Sequence, residues 1–164
     1  MTIRWIENVS RDAIRNGQHF DAGPNAMLIQ IADPAQGFPT PLKDFKVVSQ
    51  FEFLDAEDGD RFPEECLISD DQAKQIVNLL QMALDQSMNV VVHCHAGICR
   101  SGAVVEVATM MGFTATERLR IPNMRVKHRM MKALGWTYDA DEKTTPVNGY
   151  VSSGGIIMPM GEWE

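Results

Sequence analysis

The chain has 164 residues, with 22 acidic against 15 basic side chains, a formal net charge of −7 and 45% hydrophobic residues. These totals fit one domain whose core needs no disulfide or metal staple, and three cysteines exclude a disulfide scaffold. No apolar run approaches the roughly 18 residues of a membrane span, residues 1–10 lack the apolar stretch of a secretory signal, and the acidic balance argues against a general nucleic-acid binder; a reducing cytoplasm is the expected home.

Ile3–Ile6 reads as a short strand. Ser10 is an N-cap for a short helix to about Asn16, closed by Gly17. Met27–Ala32 is a compact apolar run, hence a buried strand, and residues 33–44, with three prolines and one glycine, are loop. Phe45–Leu54 reads as another strand, followed by an acid-rich loop over 55–65. Ser69 with Gln72 forms a capping box, and Ala73, Ile76, Val77, Leu80, Ala83 and Leu84 then mark one buried face of a helix over 69–86. Val90–Val92 is a short strand of the kind buried on both sides in a parallel sheet. Gly102–Met111 reads as a buried helix closed by Gly112, and 123–134 as a helix closed by Gly135. Strands alternating with helices predict an α/β architecture with a mainly parallel sheet of four to five strands. Residues 1–135 are expected to form the catalytic domain, and 136–164 a C-terminal extension that adds an edge strand or stays partly loose.

Between Val92 and Gly102 lies His93-Cys94-His95-Ala96-Gly97-Ile98-Cys99-Arg100-Ser101. A strand that turns tightly into a helix makes an anion cradle, because successive backbone N–H groups converge and the helix dipole adds partial positive charge. Gly97 allows a positive φ in that turn, and the planar fork of Arg100 can grip two oxygens of a tetrahedral oxyanion. A thiol at a helix N-terminus beside a cation loses its proton more easily, which suits Cys94 as a nucleophile. Ser101 can donate a hydrogen bond to the sulfur and ease its departure.

This run resembles the signature of the cysteine-dependent protein tyrosine and dual-specificity phosphatases, H-C-x-x-G-x-x-R-[ST], with His93, Cys94, Gly97, Arg100 and Ser101 filling every fixed position. The capped helix ahead of the strand, and Pro122-Asn123 ahead of the next helix, are similar to compact bacterial and phage members. The resemblance implies a phosphatase-like fold and an enzyme that needs no metal or other cofactor. In it Cys94 attacks phosphorus to form a cysteinyl phosphate. The loop from His95 through Ala96, Gly97, Ile98 and Cys99 to Arg100, with the Arg100 guanidinium, holds the phosphoryl oxygens. Relatives also place an Asp as general acid on a loop after a strand. Asp55, at the end of the strand Phe45–Leu54 and 39 residues before Cys94, is the preferred candidate; Asp58 and Asp60 are the alternatives. The implied substrate is a phosphorylated protein, with RNA 5′-phosphates, phosphoinositides, a non-catalytic phosphate-binding module and a sulfurtransferase as other readings. No membrane partner is implied, and no oligomeric state.

Blander readings stand beside these. His93, Cys94, His95 and Cys99 could suggest zinc. His93 reads as a buried hydrogen-bonding residue that shapes the loop rather than as a proton carrier. Cys99 is a small filler or a disulfide partner of Cys94 under oxidation, and Cys66 could play the latter part too. Residues 118–132 carry Arg118, Arg120, Arg125, Lys127, Arg129 and Lys132 without an acid, as a solvated helix face or as a rim that attracts anionic substrates.

Overall fold

The computed structural model describes residues 3–136, and the C-terminal extension lies, past Trp136, outside them. The strands are β1 (Trp5–Ser10), β2 (Ala26–Ala32), β3 (Val47–Glu52), β4 (Asn89–Cys94) and β5 (Thr114–Ala115). They form one sheet in the order β3-β2-β4-β1-β5, and every pairing is parallel. Four α-helices are described: α1 (Arg11–Asn16), α2 (Asp70–Asp85), α3 (Arg100–Met111) and α4 (Met124–Ala133). The α/β class and parallel sheet expected from the alternating pattern are the ones found.

The two faces of the sheet follow the period of two along each strand. Met27, Ile29 and Ile31 of β2 turn one way with Val90, Val92 and Cys94 of β4, into a core shared with α2, α3 and α4. Leu28 and Val91 turn the other way, into a smaller cluster with Ala13 and Ile14 of α1. The helix ends are held as their sequences direct. Ser69 Oγ accepts from Gln72 N at 3.0 Å while Gln72 Oε1 accepts from Ser69 N at 3.0 Å, so both halves of the capping box are made. Ser10 Oγ caps α1 through Ala13 N at 3.1 Å.

Three elements differ from the sequence expectation. β3 is two residues shorter at each end than the expected Phe45–Leu54, so Asp55 lies in the loop beyond it. The first strand lies further along than Ile3–Ile6, because Glu7 and Asn8 are buried strand residues rather than the start of a polar break. Their polar atoms are partnered, as burial demands: Glu7 accepts from Phe20 N at 2.8 Å and from Arg118 Nε at 2.9 Å. The two-residue β5 has no apolar run to announce it. Its ladder is made by backbone alone, Thr114 N donating to Arg4 O at 2.8 Å and Thr116 N to Ile6 O at 3.1 Å.

Candidate active site

In an open parallel sheet the natural crevice lies beyond the carboxyl ends of the strands. Here β2 ends into Asp33, β3 into Leu54 and Asp55, and β4 into Cys94. These ends, with Phe62, His95, Ala96, Cys99 and Arg100, line a cleft of about 280 Å³.

The loop after β4 is set by contacts to its own carbonyls. His95 O accepts from Arg11 N at 3.2 Å, Ile98 O from Ile121 N at 3.2 Å, and Cys99 O from Asn123 N at 3.0 Å. Gly97 O accepts from Asn8 Nδ2 at 2.7 Å. A trans peptide unit points its C=O and the following N–H in opposite directions. With those four carbonyls held by the protein body, the N–H groups of Ala96, Ile98, Cys99 and Arg100 turn to the open side of the loop. Gly97 is required twice over: its φ is 78°, and a Cβ there would run into the backbone of Val9 and Ser10. The helix start at Cys99 has no side-chain cap, which leaves the first amides of α3 open to a ligand.

Within this frame Cys94 is buried, and its Sγ lies 3.2 Å from Ser101 Oγ. Arg100, only 3% exposed, is anchored through Nη1, which donates to Asp33 Oδ1 and to Phe53 O, each at 2.7 Å. Its Nε is buried with no partner among the described residues. One end of the guanidinium is thus fixed by the protein, and the other keeps donor capacity. Asp33 was not singled out from the sequence, although it directly follows β2, and that position was the available signal.

The three candidate acids part company. Asp55 lines the cleft, and its Oδ1 accepts from Asn123 Nδ2 at 2.7 Å. Asp58 is turned to α4, where Arg125 Nη1 donates to it at 2.7 Å. Asp60 accepts from Glu57 N at 2.7 Å within its own turn. Neither lines the cleft.

His93 is fully buried, with Nδ1 3.3 Å from Cys94 O and Nε2 without a partner among the described residues. Burial lowers its pKa to about 4, against a smaller opposing effect of the Cys94 carbonyl and with help from Arg11 and Arg100. It is therefore a neutral ring under the loop. Cys66, Cys94 and Cys99 are free thiols. Cys99 lines the cleft with Cys94, whereas Cys66 does not. Burial, followed by the neighbouring Asp55 carboxylate and Cys94, pushes the Cys99 thiol up. No group of three or more potential metal ligands gathers among the described residues, and no helix among them is long and apolar enough to cross a membrane.

The basic stretch 118–132 is no free anion-attracting rim. Arg118 pairs with Glu7, and Arg120 and Lys127 with Glu106. Arg125 and Arg129 pair with Asp58 or Glu64 of the acid-rich loop, and Arg129 and Lys132 with Asp70 at the start of α2.

Residues 66–112 match a family model described as "Polymorphic toxin system, DSP-PTPase phosphatase", a stretch that runs through α2, β4, the loop and α3. Among solved structures, the human tyrosine phosphatase-like serine/threonine/tyrosine-interacting protein is similar at a TM-score of 0.54 and 15% identity, covering 78% of this chain and 89% of that one. The structure of Tk-PTP in the active form is similar at a TM-score of 0.42 and 13% identity, covering 86% of each chain. No curated protein matches the sequence. The family match falls on the stretch that holds the nonamer, and the fold is phosphatase-like, as the resemblance implied.

Proposed function

We propose that this chain, with its dual-specificity phosphatase stretch over 66–112 and its phosphatase-like fold, hydrolyses phosphomonoesters on proteins through a cysteinyl-phosphate intermediate, with residues 1–135 as the catalytic unit. The observation that carries the reading is Arg100. A buried cation fixed through Nη1 by Asp33 and Phe53 O, with a buried Nε left over, is built to take oxygens of an anion in the cleft that Cys94 lines.

In the first step Cys94 Sγ attacks phosphorus. The S–P bond forms as the P–O ester bond breaks, and Asp55 gives the departing oxygen its proton. In the second step Asp55 takes a proton from water, the water oxygen bonds to phosphorus, and the S–P bond breaks to release inorganic phosphate. The Ser101 hydroxyl, 3.2 Å from the sulfur, donates to it as it leaves. The amides of the loop and the Arg100 fork hold the equatorial oxygens, so most of the catalysis is positioning and electrostatics. Asp33 is committed to Arg100, which leaves Asp55 as the carboxylate for proton transfer.

Phosphoproteins fit better than nucleic acid, since the six cations of 118–132 are already paired with carboxylates. A nucleophile that must stay reduced suits the cytoplasm. The description of the matched family adds a setting, a polymorphic toxin system, which we carry to this chain as part of the proposal. The test is turnover of 4-nitrophenyl phosphate. Cys94→Ser is expected to abolish it while vanadate still binds, and Asp55→Asn to slow alkyl esters by about 10²-fold or more. Full turnover in Cys94→Ser overturns the reading. A wild-type chain that binds vanadate and turns over no phosphate ester would be a binding module instead.

A further inference from the structure

Asn123 is only 3% exposed and every hydrogen-bonding group of it that the structure records is in use. Its backbone N–H donates to Cys99 O of the phosphate loop at 3.0 Å. Its Nδ2 donates to Asp55 Oδ1 at 2.7 Å and to Ala56 O at 3.1 Å. Its Oδ1 accepts from Val126 N at 3.0 Å and so caps α4. One residue therefore ties the loop that carries Asp55 both to the loop that carries Cys94 and to a helix start. The surroundings add to the tie. Glu57 receives Met124 N at 2.8 Å and Arg125 N at 2.9 Å, so the residues on either side of Ala56 are both pinned to the first turn of α4.

We propose that Asn123 is the positioning residue of the proton-transfer step: it fixes the Asp55 carboxyl relative to the phosphate loop and selects which of its oxygens works. This inference rests on the reading of Asp55 as general acid. An Asp55 Oδ1 that accepts from Nδ2 keeps its lone pair engaged, so the transferable proton sits on Oδ2. The ester oxygen takes that proton as its bond to phosphorus breaks, and Asn123 itself neither gains nor loses one. The tie spans 68 positions of sequence, so only the folded chain holds the acid in place. Misplacement of a catalytic group by an ångström costs up to about 10²-fold in rate.

Asn123→Ser is the informative change, because serine keeps a cap acceptor for α4 but is too short to donate to Asp55. The measurement is kcat/KM, which reports only the steps up to formation of the cysteinyl phosphate, on two esters: 2,4-dinitrophenyl phosphate, whose oxygen leaves without a proton, and an alkyl phosphate, whose oxygen needs one. The expected result is a loss of about tenfold or more in kcat/KM on the alkyl ester alone. Inhibition by inorganic phosphate and kcat/KM on the dinitrophenyl ester stay unchanged. In an Asp55→Asn background, Asn123→Ser should cost nothing further on the alkyl ester, since the two act as one unit. Equal losses on both esters, weaker phosphate inhibition, or additive losses in the double variant overturn the inference and make Asn123 a structural cap. Should Asn123→Ser not fold, Asn123→Thr repeats the test, with a cap acceptor kept and no group long enough to donate to Asp55. Wild-type alkyl turnover in Asp55→Asn would remove the acid assignment and this inference together, while Cys94→Ser reports separately on the nucleophile.

Discussion

A single Cβ would disturb the loop that follows β4. Gly97 sits with φ 78° against the Val9–Ser10 backbone, so Gly97→Ala must strain the loop, move β1, or both. We expect a stability loss of about 2 kcal/mol, read as a lower urea midpoint, together with loss of 4-nitrophenyl phosphate turnover. The need for glycine at this position was legible in the sequence, because it follows from a tight strand-to-helix turn. The rest of the nonamer was legible for the same reason: its residues are neighbours in the chain, and the chemistry they suggest needs no distant contact. Asp33 and Asn123 were not legible in this way. Asp33 meets Arg100 across 67 positions and Asn123 meets Asp55 across 68, so their importance comes from the fold alone. Asp55 was preferred among three acids as the end of a strand read over Phe45–Leu54; β3 stops at Glu52, and the hydrogen bond from Asn123 holds Asp55 instead.

Between elements, α4 grips the loop that follows β3. Arg125, 4% exposed, donates to Asp58 and Glu64 at 2.7 Å and to Ile68 O at 2.8 Å. The carboxylates are largely exposed and can return to water, so the lasting cost of losing Arg125 is the Ile68 carbonyl left without its donor. Arg125→Met is expected to destabilise by about 1–3 kcal/mol and to speed proteolysis within residues 55–65; an unchanged urea midpoint with unchanged cleavage would contradict this. Burial works against the charge of Asp58, yet Arg125 and Arg129 outweigh it and hold the carboxyl below its ordinary 3.8. A lowered carboxylate stabilises fully above its ordinary value and loses that contribution only as pH falls through the lowered one, so the grip survives to below pH 3.8. The helices themselves were legible through caps and apolar spacing. Their boundaries shifted little, because capping chemistry is local. That the acidic and basic stretches face each other was not legible, since uneven charge along a chain says nothing about which side chains meet.

At the scale of the molecule, the buried His93 ties stability to pH. Its folded value near 4 lies below the ordinary 6.5, so the unfolded chain binds the proton first. The stabilisation is complete above about 6.5 and is lost as pH falls from there toward 4, on the order of 3 kcal/mol in all. Melting temperatures taken from neutral pH down to about 4.5 should fall steadily in the wild type and less steeply in His93→Gln; parallel curves would assign the slope to other groups. The sheet order carries one more consequence, and it concerns time. β4 pairs with β1 so that Ser10 lies beside Cys94, and the loop between β4 and α3 leans on Asn8, Arg11, Ile121 and Asn123. Contacts of such long sequence separation form late and slowly. A ribosome-bound chain that has emerged only as far as Cys94 and Arg100 therefore holds the motif without the contacts that shape the cleft. The loop takes its final form only after the start of α4 is free to dock, which makes completion of folding a precondition of the cleft.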